Sequence, residues 1–483
     1  MSSAKVISIK KGRNMGIAED RGHGHAAWDK AFISRHDVAG PRYTSYPTAL
    51  QFHEEFSVQD YLAGVERSNR SRKPLSLYFH LPFCESLCYY CACNKIVTKN
   101  SSSMRHYLDN LIREIEKRAE SVTPGRPVYQ MHWGGGTPTY YDNPELTELM
   151  FHVGKQFHLV DSERGEFSIE IDPRSVDTDK LSLLRGLGFN RVSLGIQDFD
   201  ESVQVAINRV QPLSKIREVV SDVRALRYKS LNFDLIYGLP QQSPRSVLQT
   251  VEKVIELDPD RISLFNYAHL PNRFKAQALM DEAALPSPQE KLDILCQSSS
   301  RLVEAGYVYI GMDHFAKPED ELAQALLRGN LHRNFQGYTT YREADLVSMG
   351  VSAISQINNT YSQNTRSIKE YQALLDEDEL PIKYGVILTP EDELRRDIIM
   401  SLICGNQLDI RAVEETYRID FKEKFSDELD MMDDLARDGV VERNAEGYVV
   451  TEKGRLVVRR VCMVFDQYLP EHLKKGQRFS RII

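Results

Sequence analysis

Short apolar runs alternate with amphipathic segments between residues 75 and 268. The runs are rich in β-branched and aromatic residues, which predicts strands at Ser76–His80, Val128–Trp133, Phe167–Ile171, Arg191–Ile196, Leu231–Tyr237 and Arg261–Asn266. The segments between them, such as Met104–Ala119 and Val247–Ile255, have the apolar spacing of helices. Strands separated by helices indicate βαβ units and a parallel sheet. Six units predict an α/β fold with a partial (β/α)6 barrel.

Polar or unusual residues follow nearly every predicted strand. They are a cysteine cluster after residue 80, the glycine run at 134–136, Asp172, Gln197, Gly238 and His269. In α/β barrels the functional groups collect at the carboxyl ends of the strands. We therefore expect the site at this rim of the barrel.

A mainly helical, winged-helix-like module is predicted near the C-terminus. Thr389 is a plausible N-cap with Pro390 at the first helical position, and two further helices end near Gly439 before a hairpin at 440–450. The third helix carries several carboxylates, which would repel phosphates: Asp427, Glu428, Asp430, Asp433 and Asp434. We interpret the module as a packing or substrate-covering domain and expect no nucleic-acid partner.

These patterns divide the chain into four parts. Residues 1–35 form a polar lead with a Gly/His patch at 23–25, residues 36–74 an N-terminal arm, residues 75–375 the barrel and its extension, and residues 376–483 the C-terminal domain. The 483-residue chain has a formal charge of −8 and no apolar run long enough for a membrane span of about 18 residues. The first twenty residues lack the apolar block of a secretory signal, so we expect a cytoplasmic protein. We also expect a monomer.

Four of the seven cysteines, Cys84, Cys88, Cys91 and Cys93, lie within ten residues. The scattered ones, Cys296, Cys404 and Cys462, are expected to be buried small hydrophobes. The tight cluster favours metal or redox chemistry over a disulfide framework. Iron–sulfur clusters take Cys thiolates, and so does structural zinc. The spacing alone favours the cluster, since no second Cys/His pair stands out, but both readings stay open at this point.

Cysteines spaced x3 and x2, with Tyr90 before the third, resemble the signature of the radical S-adenosylmethionine (SAM) superfamily. The resemblance implies a [4Fe–4S] cluster held by Cys84, Cys88 and Cys91, with SAM bound to the fourth iron and cleaved to a 5′-deoxyadenosyl radical. Cys93 lies outside the pattern and is not expected to be a ligand. Trp133-Gly134-Gly135-Gly136-Thr137-Pro138 is similar to the glycine motif that binds the methionyl amine in this superfamily.

Longer stretches resemble one family within it, the oxygen-independent coproporphyrinogen III oxidases. The similar segments cover the chain from about residue 30 onward and include Gly40–Thr48, Tyr78–Cys84, Ser168–Arg174, Gly195–Phe199, Asp234–Pro240 and Gly350–Ser355. The resemblance implies that Tyr78 lies near the sulfonium of SAM as a catalytic residue. It implies that two SAM molecules bind, at Tyr78, Tyr90, Gly135, Gly136, Thr137, Glu170, Gln197, Arg209, Asp234, Ala268 and Ile354.

The implied reaction is the oxidative decarboxylation of two propionates of coproporphyrinogen III to vinyl groups in haem biosynthesis. It needs an electron donor and an electron acceptor, which the sequence does not identify. The substrate bears four carboxylates, which favours arginine in its pocket, and Arg42 and Arg174 are candidates.

Three other functions compete with this interpretation: a haem chaperone of the same superfamily, a haem-degrading radical SAM methyltransferase, and a plain iron–sulfur electron carrier. Cys93 and the segment Pro41–Pro47 favour the oxidase over the chaperone. A small domain would be enough for an electron carrier.

Overall fold

The computed structural model describes residues 29–474 together with Gly476, Phe479 and Arg481. Six parallel strands form the predicted partial barrel: β1 (Leu75–Leu81), β2 (Pro127–Gly135), β3 (Glu166–Ile171), β4 (Arg191–Gln197), β5 (Ser230–Tyr237) and β6 (Arg261–Asn266). Each pairs with the next in chain order. This confirms the fold class, and every predicted strand overlaps an observed one.

Helices connect these strands and cover the outer face of the sheet. They span Ser101–Ser121, Asn143–Gln156, Thr178–Gly186, Glu201–Ala206, Leu213–Ala225, Pro244–Leu257 and Pro288–Glu304. Asp142 begins one of them with a capping box, in which its side chain and that of Glu145 accept each other's backbone N–H groups. Their apolar faces pack with alternate strand residues, such as Leu77 and Phe79, into one core.

The sheet continues beyond the six predicted strands on both edges. Two strands, β7 (Val308–Gly311) and β8 (His314–Ala316), extend the edge at β6: β8 pairs antiparallel with β6, and β7 pairs antiparallel with β8. On the other edge β9 (Asp345–Met349) runs parallel to β1, followed by the antiparallel β10 (Ile354–Ile357), β11 (Thr360–Asn364) and β12 (Ile382–Ile387). β9 and β11 are buried along their whole length, so no alternation marked them in the sequence.

Shorter elements complete this part of the chain. Phe83–Cys84 pairs with Ile96–Val97, His158–Leu159 lies beside β2, and His332–Asn334 forms a hairpin with Gly337–Thr339. Further helices span Lys30–His36, Val58–Ser71, Glu321–Arg328 and Ile368–Asp376. The predicted Gly/His patch at 23–25 lies outside the described residues.

The C-terminal part is mainly helical, as predicted, and its hydrophobic core also includes residues of the N-terminal segment 32–46 and of the region 292–331. Its helices are Pro390–Gly405, Ile410–Tyr417, Phe421–Lys424, Ser426–Arg437, Val458–Cys462 and Leu469–Lys474, with a three-stranded sheet of Gln407–Asp409, Val441–Arg443 and Gly447–Val450. Thr389 is the N-cap of the first helix, with Pro390 in its first turn. The predicted acidic residues lie on Ser426–Arg437. The scattered cysteines are buried, and none of the described helices is long and apolar enough to cross a bilayer.

Candidate active site at the barrel rim

The cysteine loop starts where β1 ends and is closed at its base. Phe83–Cys84 pairs with Ile96–Val97, so the segment between them projects as a loop over the rim. Three contacts from neighbouring segments hold it: Tyr89 N–H donates to the Ile207 carbonyl (3.0 Å), Asn208 Nδ2 donates to the Leu87 carbonyl (2.8 Å), and Gln277 Nε2 donates to the Tyr90 carbonyl (3.1 Å). The loop is therefore anchored by chain that lies far from it in sequence.

The three predicted ligand thiols share one small region. Cys84 and Cys88 are buried, Cys91 is half-buried, and the Cys84 thiol lies close enough to both others to interact with them electrostatically. A hydrogen bond from Cys93, which is exposed, lowers the pKa of Cys91 to about 6 against the effect of burial, with help from Lys95. A set of neighbouring soft thiol donors fits an iron–sulfur cluster.

Arg209 lies beneath this loop and is not a charge on a helix surface. Its Nη1 donates to Asp172 Oδ2 (2.9 Å) and lies 3.5 Å from Cys88 Sγ, while its Nη2 donates to the Gly195 carbonyl (2.8 Å). Burial alone would raise the pKa of Asp172, but Arg209 and Arg174 lower it. Arg209 thus places a positive charge beside the Cys88 thiol while it stays paired with Asp172.

The glycine run clamps the second strand to the entrance of the cysteine loop. Gly136 N–H donates to the Leu81 carbonyl and Thr137 N–H to the Phe83 carbonyl, both at 2.9 Å. A Cβ on Gly136 would lie 2.5 Å from the Pro82 carbonyl, so only glycine fits this close approach. Because these N–H groups are already bonded, the glycine run can offer a ligand only its carbonyl oxygens. Carbonyl oxygens bind a hydrogen-bond donor, such as an ammonium group.

Side chains facing the barrel interior form a chain from Tyr78 to Glu170. The Tyr78 hydroxyl is 3.0 Å from His80 Nδ1, and the Tyr78 ring stacks on His132 with ring centroids 5.8 Å apart. His132 Nε2 lies 3.2 Å from Glu170 Oε1, and Gly135 N–H donates to Glu170 Oε2 (3.0 Å). The site thus joins β1, β2 and β3 through hydrogen bonds and ring stacking.

The pKa values of the two predicted acidic residues shift in opposite directions. Burial opposes ionisation of Glu170, but hydrogen bonds from His132 and Gly135 lower its pKa below the ordinary value. Its side chain still has 42% of its surface exposed, so it can accept further hydrogen bonds. Burial raises the pKa of Asp234, although Ser193 and Asn232 donate to it at 2.6 and 2.9 Å. Glu170 is therefore the readier anion.

The other predicted residues lie around the same rim. Gln197 ends β4 with a left-handed backbone (φ 66°) at a bulge opposite β5. Tyr90 packs against an apolar cluster that contains Tyr267, and the exposed Ala268 follows that residue in the chain. Ile354, half-buried, begins β10.

The two arginines predicted for substrate carboxylates both have acidic partners. Arg174 Nη2 donates to Asp172 at 2.7 Å, whereas Arg42 Nη1 lies 3.6 Å from Asp313 with 39% of its side chain exposed. Arg42 is thus the more available of the two.

Two histidines of the site, His80 and His132, are not among the residues predicted from the sequence. A usable signal was present, because His80 follows Tyr78 by two residues and His132 lies on the adjacent strand. Residues two apart on a strand face the same side.

Comparison with known proteins supplies the family. Residues 78–254 match the Radical SAM superfamily, and residues 388–457 match the HemN C-terminal domain. The oxygen-independent coproporphyrinogen III oxidase of Pseudomonas aeruginosa is 49% identical over 94% of this chain and 99% of its own length. The chain belongs to the oxygen-independent coproporphyrinogen III oxidase family. The Escherichia coli member is 48% identical over 94% of this chain and 98% of its own length.

A solved structure agrees with this membership over nearly the whole fold. The structure titled coproporphyrinogen III oxidase (HemN) from Escherichia coli, a radical SAM enzyme, matches with a TM-score of 0.87 and 47% identity, covering 91% of this chain and 99% of its own. The chain is therefore a radical SAM enzyme, and this superfamily uses a [4Fe–4S] cluster and SAM.

Proposed function

We propose that this chain converts two propionates of coproporphyrinogen III to vinyl groups without oxygen, giving protoporphyrinogen IX in haem biosynthesis. For each propionate, one hydrogen atom and carbon dioxide leave, and one electron passes to an acceptor. The observation that supports this best is the anchored cysteine loop beside Glu170, in a chain whose relatives of that activity match it over 94% of its length.

The residues present fit the two cofactors. Cys84, Cys88 and Cys91 would hold the cluster, with the Arg209 guanidinium beside Cys88 and Lys95 near Cys91 to offset negative charge. When bound, the cluster and SAM supply a 5′-deoxyadenosyl radical that removes the hydrogen atom. Cys93 would remain a thiol that donates to Cys91.

Each part of the rim would hold a different part of SAM. The carbonyls of Gly135 and Gly136 would accept from an ammonium group, and Thr137, whose carbonyl already accepts from Tyr140 N–H, would line the same site. Glu170 would accept hydrogen bonds from ribose hydroxyls, and Tyr78 would present its ring to the sulfonium. Ile354, at the start of β10, would pack against the same SAM.

A second SAM would be held by residues on the far side of the rim. These are Tyr90, Gln197, Arg209, Asp234 and Ala268. Asp234 would accept hydrogen bonds from this second SAM, on a carboxylate that Ser193 and Asn232 already hold in place. Arg209 would act through a guanidinium that Asp172 already orients.

The test is an anaerobic incubation of the reconstituted protein with reductant, SAM and coproporphyrinogen III, followed by product analysis after oxidation. We expect protoporphyrin together with 5′-deoxyadenosine. SAM cleavage without a vinyl product, together with tight haem binding, would favour the chaperone. A methylated or ring-opened haem product would favour the haem-degrading methyltransferase.

A further inference from the structure

Arg333 is a buried arginine for which the described residues supply no acidic partner. It lies on the hairpin of His332–Asn334 and Gly337–Thr339 and is 7% exposed. Within the described part of the chain, its Nε and Nη1 groups meet no hydrogen-bond acceptor, and no carboxylate forms an ion pair with it. A buried charge without a partner is strongly unfavourable, so a missing anion is the simplest account.

The other buried arginines near the barrel are neutralised. Arg118 pairs with Glu114, Arg209 with Asp172, and Arg126 with Asp345, at 2.8 to 2.9 Å. The fold thus supplies carboxylates to buried guanidinium groups elsewhere. A water molecule could satisfy the N–H groups of Arg333 but not its charge.

A chain of ring contacts connects Arg333 with the barrel interior. Its guanidinium lies 4.8 Å from the centroid of the Tyr338 ring, Tyr338 packs edge-on against His314 (5.4 Å), and His314 packs against Phe265 of β6 (5.8 Å). His314 pairs with Ser263, whose hydroxyl is 3.4 Å from Asn232 Oδ1, a neighbour of Asp234. Burial and Arg333 lower the pKa of His314 to about 4, so this ring is neutral at pH 7 and adds no second positive charge beside the guanidinium.

The tip of the same hairpin faces the N-terminal arm. Phe335 packs against Phe52 (6.1 Å) and Tyr361 (5.4 Å), and the Tyr361 hydroxyl donates to the Tyr46 carbonyl (3.0 Å). Gln336 at the turn is exposed. Aromatic rings beside a buried guanidinium suit a macrocycle of pyrrole rings with carboxylates at its edge.

We propose that Arg333 binds a carboxylate of the porphyrinogen substrate. The inference rests on the proposed function, which supplies a ligand with four propionates. The end of a guanidinium can bind a carboxylate through two parallel hydrogen bonds from Nη1 and Nη2, and Nη1 of Arg333 has no acceptor among the described residues. Arg333 is therefore a substrate-binding residue, better suited than Arg174, whose guanidinium is already bonded to Asp172.

The experiment compares Arg333→Met and Arg333→Lys with Arg273→Met, a change at an exposed arginine. Anaerobic kinetics give KM for coproporphyrinogen III and for SAM, and fluorescence titration gives the affinity for oxidised coproporphyrin III and for its tetramethyl ester. We expect Arg333→Met to weaken coproporphyrin binding about 10- to 100-fold, the scale of a charged hydrogen bond. Binding of the uncharged ester, KM for SAM and iron content should not change.

Two further readouts separate binding from a structural role. Arg333→Lys should recover part of the affinity, because it restores the charge without the planar geometry. The ligand-free Arg333→Met protein should melt no lower than the parent, since the change removes an uncompensated charge. A lower melting temperature with unchanged coproporphyrin affinity, or an increase in KM for SAM alone, would overturn the proposal. Arg333-dependent binding by a protein that makes no vinyl product would refute the proposed function but support this inference.

Discussion

Glu170 combines a fixed position with an open face. One oxygen accepts from Gly135 N–H and the other faces His132, yet 42% of the side chain remains exposed. Hydrogen bonds to a charged group contribute about 1.5–3 kcal/mol each. We expect Glu170→Ala to weaken SAM binding about 10- to 100-fold while the cluster is retained. Anaerobic equilibrium dialysis with SAM and iron analysis measure both.

The matched control is Glu256→Gln, a change at a surface carboxylate paired with Arg217 on the outside of the barrel. It should leave SAM binding unchanged. Loss of iron from Glu170→Ala, or unaltered affinity for SAM, would contradict the ribose role.

Substitution of Cys93 tests which cysteines bind the iron–sulfur cluster. Its thiol is exposed and donates to Cys91, so we expect Cys93→Ala to keep the cluster and Cys88→Ala to lose it. Iron and sulfide content and the visible absorbance after anaerobic reconstitution give the answer. The opposite pattern in the two variants would refute the assignment.

At the residue scale, site residues could be predicted from the sequence where they belong to a recognisable motif. They could not be predicted where their role depends on how the residue is packed. Tyr78 and Glu170 come from recognisable segments and do lie near each other. Arg333 could not have been found, because an arginine without a carboxylate looks like any other until its burial is known.

A buried polar network connects the helix Ser101–Ser121 with the rim. Glu114 and Arg118 are almost fully buried and paired, and Glu114 Oε2 accepts from Gly350 N–H (2.8 Å) and from the Tyr371 hydroxyl (2.7 Å). The Tyr107 hydroxyl donates to the His80 carbonyl (2.7 Å) and accepts from Val351 N–H (3.0 Å). The network therefore fixes both the strand that carries Tyr78 and the turn before Ile354.

Tyr107→Phe removes the hydroxyl that joins these two segments. An unsatisfied buried donor or acceptor costs about 1–3 kcal/mol, so we expect lower stability and a roughly 10-fold higher KM for SAM, with the iron content kept. Tyr371→Phe is the matched control, since its ring stacks on Tyr107 (5.3 Å) but its hydroxyl donates to Glu114 and not to the strand or the turn among the described residues. It should lower the melting temperature without changing KM for SAM. Equal changes in KM for both variants would show that only general stability is involved.

At the element scale, the six barrel strands were predictable because each lies between helices with clear amphipathic spacing. The added strands β7 to β12 were not. They are short, and they depend on pairing with residues far away in sequence, as β9 does with β1. Local patterns contain no information on such pairing.

At the scale of the whole molecule, the arm at 40–47 joins the C-terminal domain to the sheet. Arg459 Nε donates to the Pro41 carbonyl (2.8 Å), the Tyr43 hydroxyl donates to Asp466 Oδ2 (2.9 Å), and Tyr361 of β11 donates to the Tyr46 carbonyl. The sequence predicted an arm but not its partners, because these contacts span more than 300 residues. The arm thus couples the two hydrophobic cores.

Asp466 gives this junction a pH dependence. Burial raises its pKa above the ordinary value of 3.8, although hydrogen bonds from Tyr43 and from Tyr468 N–H oppose the shift. The folded state therefore holds the proton more tightly than the unfolded chain. The stability contributed by the neutral carboxyl is fully present below pH 3.8, declines as the pH rises to the folded pKa, and then stays lost. At neutral pH the buried charge is a net cost.

Asp466→Asn should remove that cost while keeping a polar partner for both Tyr43 and Tyr468. We expect a melting temperature about 1–2 °C above the parent at pH 7.5, with the difference shrinking toward zero as the pH approaches 4. Differential scanning calorimetry across this range measures it, with Asp430→Asn at an exposed site as the control. A destabilised variant at pH 7.5 would mean that the ionised carboxylate, accepting from the Tyr43 hydroxyl, is what holds the arm in place.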